Sequence, residues 1–211
     1  AHILLESCSS GGIRFDLGMM CFSPQVWSSD DTDPIERLDI QSGLSYLYPQ
    51  STMGAHVSAA PHQQTLRDTP LSTRFNVASF GDLGYELELK FMTHAELKEL
   101  RGQIEFYKAH RKTLQFGRFY RFDDLKSNKV HWQVSSRDGK EHIVGHFQKL
   151  CTASEGPDML SVKGLEPTRR YRLCCKKQSI FIKRLGGLVK HVMPVELDPD
   201  GFILRTANKY I

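Results

Sequence analysis

The sequence predicts an α/β unit followed by an all-β unit: half of a (β/α)8 barrel over residues 1–122, then an antiparallel β-sandwich over residues 123–211. Three observations carry this expectation. Up to Phe122, short apolar runs alternate with helix signals, the pattern of strand–helix–strand units. Beyond Phe122 the pattern changes to short alternating segments punctuated by turn residues. Acidic residues also gather where the early strands end, as at the C-terminal face of a barrel, where the loops after the strands carry catalysis.

Taken in order, His2–Ser7 is a short apolar run suited to a buried parallel strand, and Gly11-Gly12 ends it in a turn. Gln25–Ser28 is a second strand. A helix then starts with agreeing signals: Asp33 as N-cap, Pro34 at the first helical position, Glu36 completing a capping box and Gly43 as the stop. Leu44–Tyr48 has the alternation of a third strand, Met53–Thr69 the polarity of a long loop containing a short helix, and Phe75–Phe80 the look of a fourth strand. Thr93 and Glu96 form a second capping box. Leu97, Leu100, Ile104, Tyr107 and Leu114 follow at helical spacing, predicting an amphipathic helix of about four to five turns. Further strands are expected at His131–Val134, Ile143–Phe147, Tyr171–Cys175, Ile180–Ile182 and Phe202–Leu204, with a turn at Asp138-Gly139.

Charge divides the chain the same way. The first 90 residues hold five Lys and Arg against eleven Asp and Glu, and the remainder twenty-three against thirteen. The basic residues of the second part are scattered through strand-like segments and are not clustered with aromatics. That is the pattern of a solvated surface, and no nucleic-acid partner is expected. No stretch approaches the about 20 apolar residues of a membrane span, so no membrane partner is expected either. The five cysteines are odd in number and lack zinc-type spacing, which predicts a reduced, cytoplasmic protein with no metal and no cofactor. The chain opens on Ala1-His2-Ile3-Leu4-Leu5, without Met and as if inside a strand, so it is expected to be a piece of something longer. A half-barrel has unpaired strand edges, and low stability or pairing with a second copy is expected of it alone.

The chemistry concentrates between Glu6 and Asp33, which bring five carboxylates, two cysteines, a glycine pair and an arginine into the loops around the second strand. Asp30 is the first candidate. An aromatic strand that delivers a carboxylate to a barrel mouth is a setting where desolvation favours the protonated acid, able to donate to a leaving group. Asp33 is explained by its cap role alone, and Asp31 is open between acid chemistry and loop solvation. The run Cys8–Asp16 lets backbone amides approach a ligand, because glycine removes the side chains that would hold it off. A phosphate is disfavoured there for want of a following Lys-Ser/Thr, whereas sugar hydroxyls suit small residues, amides and Arg14. A packed structural role is expected of Cys8 in preference to a nucleophile served by His56 or His62. His56 is expected to be a hydrogen-bonded loop residue.

The runs CSSGGIRFDLGM, PQVWSSDDTDPIERLDIQSG, YPQSTMGAHVSAAPHQQT, FGDLGYELEL, YKAHRKTLQFGRFYRF and VKGLEPTRRYRL together resemble the C-terminal part of bacterial alpha-galactosidases of the raffinose and melibiose type, glycoside hydrolase family 36. The resemblance implies a retaining exo-hydrolase acting on terminal alpha-linked galactose of oligosaccharides, built on a (β/α)8 barrel and a β-sandwich, with this chain covering about strands five to eight. It implies that Asp30, in the Trp-x-Ser-Asp motif, is the acid/base, and that Cys8 and Gly11 contact galactose. Arg14 and Trp27 complete the expected substrate-binding set. Ser10 and Ile13 depart from the family's more glycine-rich loop, which bears on recognition at the sugar's 2-substituent. The family's nucleophile lies in a Lys-x-Asp-x-Asn motif, and the lysines of this chain begin only at Lys90. The chain is therefore expected to be inactive alone and the full-length protein to be a homo-oligomer. Alternative readings are a non-catalytic carbohydrate-binding or structural remnant, and alpha-N-acetylgalactosaminidase specificity, against which the Cys8 loop argues.

Overall fold

A computed structural model describes residues 3–8, 15–150, 158–172, 174 and 203–206. Four strands, β1 (Glu6–Cys8), β2 (Gln25–Trp27), β3 (Met53–Ser58) and β4 (Asp82–Glu86), form a parallel sheet in the order β1-β2-β3-β4. Helices α1 (Pro34–Leu44) and α2 (Leu71–Ala78) connect β2 to β3 and β3 to β4, and α3 (His94–Phe116) follows β4. An antiparallel sheet of β5 (Arg118–Arg121), β6 (Lys129–Ser135) and β7 (His142–Gln148) comes next. The strands β8 (Asp158–Ser161) and β9 (Ile203–Thr206) pair as a separate antiparallel ribbon. This is a barrel portion followed by a β domain.

Burial explains where the elements sit. Ala55 and Val57 of β3 join Leu38 of α1 and Phe75, Val77 and Ala78 of α2 in one apolar cluster. The cluster continues without a break into Val130, Trp132, Val134 and Phe147 of the antiparallel sheet. Phe80, in the turn after α2, stands edge-on to both Trp132 and Phe147, at centroid distances of 5.4 and 6.2 Å. Polar clamps surround this junction: Trp132 Nε1 donates to Ser42 Oγ at 3.0 Å, Arg121 to the Ser45 carbonyl at 2.7 Å, and Lys149 Nζ to Asp39 at 2.6 Å.

Several expectations change. Leu44–Tyr48 is no strand: α1 runs on through Gly43, where a Cβ would meet nothing, and the chain turns after Leu44 with Tyr48 stacked on Phe15 at 4.0 Å. Phe75–Phe80 belongs to α2 and the turn after it, because a six-residue apolar run fits a buried helix as well as a strand. The third strand lies instead at the start of the expected loop, where Met53, Gly54, Ala55, Val57 and Ser58 are all buried. A parallel strand covered on both faces shows no alternation to read. The fourth is Asp82–Glu86, whose Gly84 and two carboxylates hid it. The first strand is shifted to Glu6–Cys8, with Ile3, Leu4 and Leu5 exposed and outside it. Helix α3 is 23 residues long, more than six turns, and buries Gln103, Tyr107, Thr113 and Leu114. Its expected partners Leu97, Leu100 and Ile104 are only partly covered. No strand forms at Tyr171, Arg172 or Cys174, while Ile180–Ile182 and Phe202 lie outside the described residues.

Helix α1 begins as expected, but its second capping bond is made differently. Asp33 accepts from the Ile35 and Glu36 amides at 2.8 and 3.4 Å. Glu36 turns away to Arg67, 3.1 Å distant, and Asp31 takes the Asp33 N–H at 3.0 Å. Burial pushes the Asp33 carboxyl up, yet bonds from the Thr65 hydroxyl, the Ile35 amide and Arg67 outweigh it and hold the group below the usual aspartate range. A carboxyl depressed in the folded state contributes stability that is complete above its unfolded value, about 3.9, and is lost as pH falls through the lower folded value. Asp33→Asn, which keeps an amide oxygen for the cap, is expected to remove that acid-dependent part of the unfolding free energy. Asp33→Ala is expected to cost a further ~1 to 2 kcal/mol at neutral pH. Urea midpoints measured across the acid range check both.

Candidate functional site

The parallel sheet has two unlike faces. One packs on the helices through Val26, Ala55 and Val57, all fully buried. The register places Cys8 beside Trp27, Trp27 beside Gly54, His56 beside Gly84 and Ser58 beside Glu86. Because side chains alternate along a strand, Trp27, Gly54, His56, Gly84 and Glu86 share the other face. That face is lined by rings, glycines and a carboxylate.

Close approach requires glycine at position 84 and favours it at position 54. A Cβ on Gly54 would stand 3.0 Å from Trp27 Cε3, and one on Gly84 would stand 2.3 Å from His56 Nε2. Each ring therefore occupies the hollow left by a glycine on the next strand. The Trp27 and His56 rings are 4.4 Å apart.

Asp30 follows β2 by three residues. Trp27 Nε1 donates to Asp30 Oδ1 at 2.8 Å, and Oδ2 has no hydrogen bond among the described residues. The Asp30 side chain is exposed, so the apolar enclosure expected around it is not supplied by the described residues. Its backbone is held from behind. Arg37, 2% exposed, donates from Nη1 to the Ser29 carbonyl at 3.2 Å, from Nη2 to the Gly54 carbonyl, and from Nε to Gln41 at 3.3 Å. Its guanidinium also lies 5.7 Å from the Trp27 ring centroid. Burial pushes Arg37 down to about 10, against the pull of Asp31 and Glu86, so it remains charged at neutral pH. The loop after β3 closes the same corner: buried His62 bonds Thr32 Oγ1 through Nε2 at 3.0 Å.

Of the expected site residues, Cys8, Trp27 and Asp30 come together at the carboxyl ends of β1 and β2. Cys8 is exposed, so the packed structural role does not hold, and His56 and His62 are engaged with Glu86 and Thr32. Gly11 and Arg14 lie outside the described residues. His56 sits on a strand, not in a loop, and its Nδ1 meets Glu86 Oε1 at 2.7 Å. Glu86, Arg37 and Gly84 were missed by sequence reasoning: they stand in runs that carry the family resemblance, but only strand pairing and burial give each a place at the site. A cleft of about 470 Å³ opens beside Glu86, between Ala59, Arg74, Phe91 and Glu96. Among the described residues, no group of three His, Cys, Asp or Glu is placed to hold a metal ion, and no helix is long and apolar enough to cross a membrane.

Parallel strands that bring polar side chains together at their carboxyl ends, backed by helices and followed by an antiparallel domain, define a β/α-barrel portion with an appended β domain. Comparison with known proteins gives the family. The melibiase family model matches residues 1–117, and the glycosyl hydrolase family 36 C-terminal domain matches residues 129–200. The chain belongs to the melibiase family, the alpha-galactosidases of glycoside hydrolase family 36. Alpha-galactosidase AgaA of Geobacillus stearothermophilus is 44% identical over 82% of this chain, and Mel36A of Lactobacillus acidophilus 43% identical over 81%. The matched regions make up 24% and 23% of those two relatives, so the chain spans about a quarter of their length. Among solved structures, AgaA in complex with raffinose superposes with a TM-score of 0.75 at 45% identity, over 79% of this chain and 23% of that one. The alpha-galactosidase of Lactobacillus brevis gives 0.78 at 41% identity, over 99% and 30%.

Proposed function

We propose that this chain is the segment of a retaining alpha-galactosidase that carries the acid/base carboxylate, Asp30, and one wall of the galactose pocket. The single observation behind the assignment is the placement of Asp30: one oxygen held by the Trp27 indole, the other without a hydrogen bond among the described residues, at the carboxyl end of a parallel strand. In a retaining mechanism the acid gives its proton to the departing glycosidic oxygen while a second carboxylate, about 5–5.5 Å away, attacks the anomeric carbon. The same residue then takes a proton from the water that releases the sugar. Asp30 Oδ2 is the atom suited to both transfers. Trp27 offers a ring face to the sugar, Cys8 a small neighbouring contact, and Gly11 and Arg14 the adjoining loop.

No carboxylate of this chain stands in the Lys-x-Asp-x-Asn setting of the family's nucleophile. The complete reaction needs that group from outside these residues. The substrates are terminal alpha-galactosides of the raffinose and stachyose kind, in keeping with the sugars bound in structures of AgaA. We place the boundary between the barrel portion and the β domain between α3 and β5, a few residues ahead of the expected residue 123, because β5 already pairs with β6. The exposed free thiols of Cys8, Cys21 and Cys174 suit a reducing, cytoplasmic setting. Replacing the matching segment of AgaA by residues 1–211 tests the assignment. The chimera is expected to hydrolyse an aryl alpha-galactoside and raffinose, and Asp30→Asn to suppress both. Undiminished turnover in that variant would remove Asp30 from the mechanism.

A further inference from the structure

We propose that Glu86 and His56 are positioning residues for Asp30, acting through Trp27; the inference rests on the reading of Asp30 as acid/base. Four side chains form an unbroken line across three strands. A carboxylate only accepts, so the contact of 2.7 Å between Glu86 Oε1 and His56 Nδ1 puts the imidazole proton on Nδ1 and fixes the ring's tautomer. The ring is held in plane position by its fit over Gly84, where even a methyl group would overlap Nε2. It then stands 4.4 Å from the Trp27 ring, tilted by 52°, on the side away from the sheet core. Trp27 is seated over Gly54 in the same manner, and its indole N–H reaches Asp30 Oδ1.

Trp27 has only two side-chain rotations, and its hydrogen bond to Asp30 survives only where both are fixed. Gly54 fixes the depth of the indole, and His56 fixes its tilt. Glu86 in turn fixes His56. Glu86 is half-exposed in this chain and belongs to no apolar cluster; besides lending its charge to buried Arg37, its carboxylate holds His56. What that carboxylate does, from two strands away, is orient a ring on the strand next to Trp27 and Asp30. Such supporting contacts decide whether a catalytic group is held in a productive geometry.

The two tryptophans of the chain make a direct test available. Each gives one indole N–H signal in a 15N-labelled sample. Trp27 reports on Asp30, and Trp132, which donates to Ser42 in the core, serves as the internal control. Trp27→Phe assigns the signals, and Asp30→Asn gives the position of the Trp27 signal when its acceptor carries no charge. Glu86→Gln, which keeps size but weakens the hold on His56, and His56→Asn, which keeps the donor but removes the ring, are both expected to displace the Trp27 signal toward the Asp30→Asn position. The Trp132 signal is expected to stay. A Trp27 signal unmoved in both variants, or one that moves only together with Trp132, overturns the inference. In the AgaA chimera the two readings separate. Turnover that needs Asp30, with an unmoved Trp27 signal, removes the positioning role alone. A displaced signal, with turnover indifferent to Asp30, removes the acid/base assignment alone.

Discussion

In the AgaA chimera, Asp30→Asn is expected to lower kcat on raffinose by ~10²- to 10⁴-fold, the usual contribution of a positioned general acid. The loss should depend on the leaving group. A sugar alkoxide departs poorly without a proton, whereas an acidic nitrophenol departs almost unaided, so the variant should keep far more of its first-step rate on the activated aryl galactoside. The second step needs the same group as a base, so release of galactose should then limit turnover and appear as a burst of phenol. KM for the aryl substrate should fall with kcat, because the slow step follows formation of the covalent sugar. A uniform loss on both substrates, with no burst, would mark Asp30 as a binding residue.

The largest expected effect on stability is that of Arg37→Ala. The guanidinium fills space between α1 and β3 and satisfies the Ser29 and Gly54 carbonyls and the Gln41 side chain. Each buried acceptor left without a donor costs ~1 to 3 kcal/mol, and the vacated volume adds to that, giving a total loss of about 3–5 kcal/mol. Arg37→Lys retains the charge but not the fork that serves three acceptors at once, so it should recover only part of the loss. Urea unfolding, followed by tryptophan fluorescence, measures both. A loss below ~1 kcal/mol for the alanine variant would mean that water replaces the guanidinium without penalty.

The start of α1 was legible because Asp33-Pro34 is a local signal whose chemistry is complete within three residues. The same holds for Thr93 and Glu96, whose reciprocal capping bonds form as read. The strands of the parallel sheet were less legible. Their residues are covered on both faces or replaced by glycine, so β3 and β4 lack the alternation that betrays a half-exposed strand. Leu44–Tyr48 shows the converse: alternating residues that leave Tyr46 and Leu47 exposed in a turn. Within the site, Trp27 and Asp30 lie three residues apart and could be read together. His56 and Glu86 are thirty residues apart, and only the pairing of β3 with β4 makes them neighbours. Arg37 likewise carries no local signal, and only its burial against the Ser29 and Gly54 carbonyls marks it.

Under the proposed function, this chain holds one carboxylate of a two-carboxylate mechanism. Assaying the purified chain by itself with an aryl alpha-galactoside tests it most directly. No turnover above the uncatalysed rate is expected from the chain alone, and turnover is expected once the chain is embedded in the AgaA chimera. Robust hydrolysis by the chain alone, abolished by Asp30→Asn, would show that a nucleophile lies within these 211 residues and would contradict it.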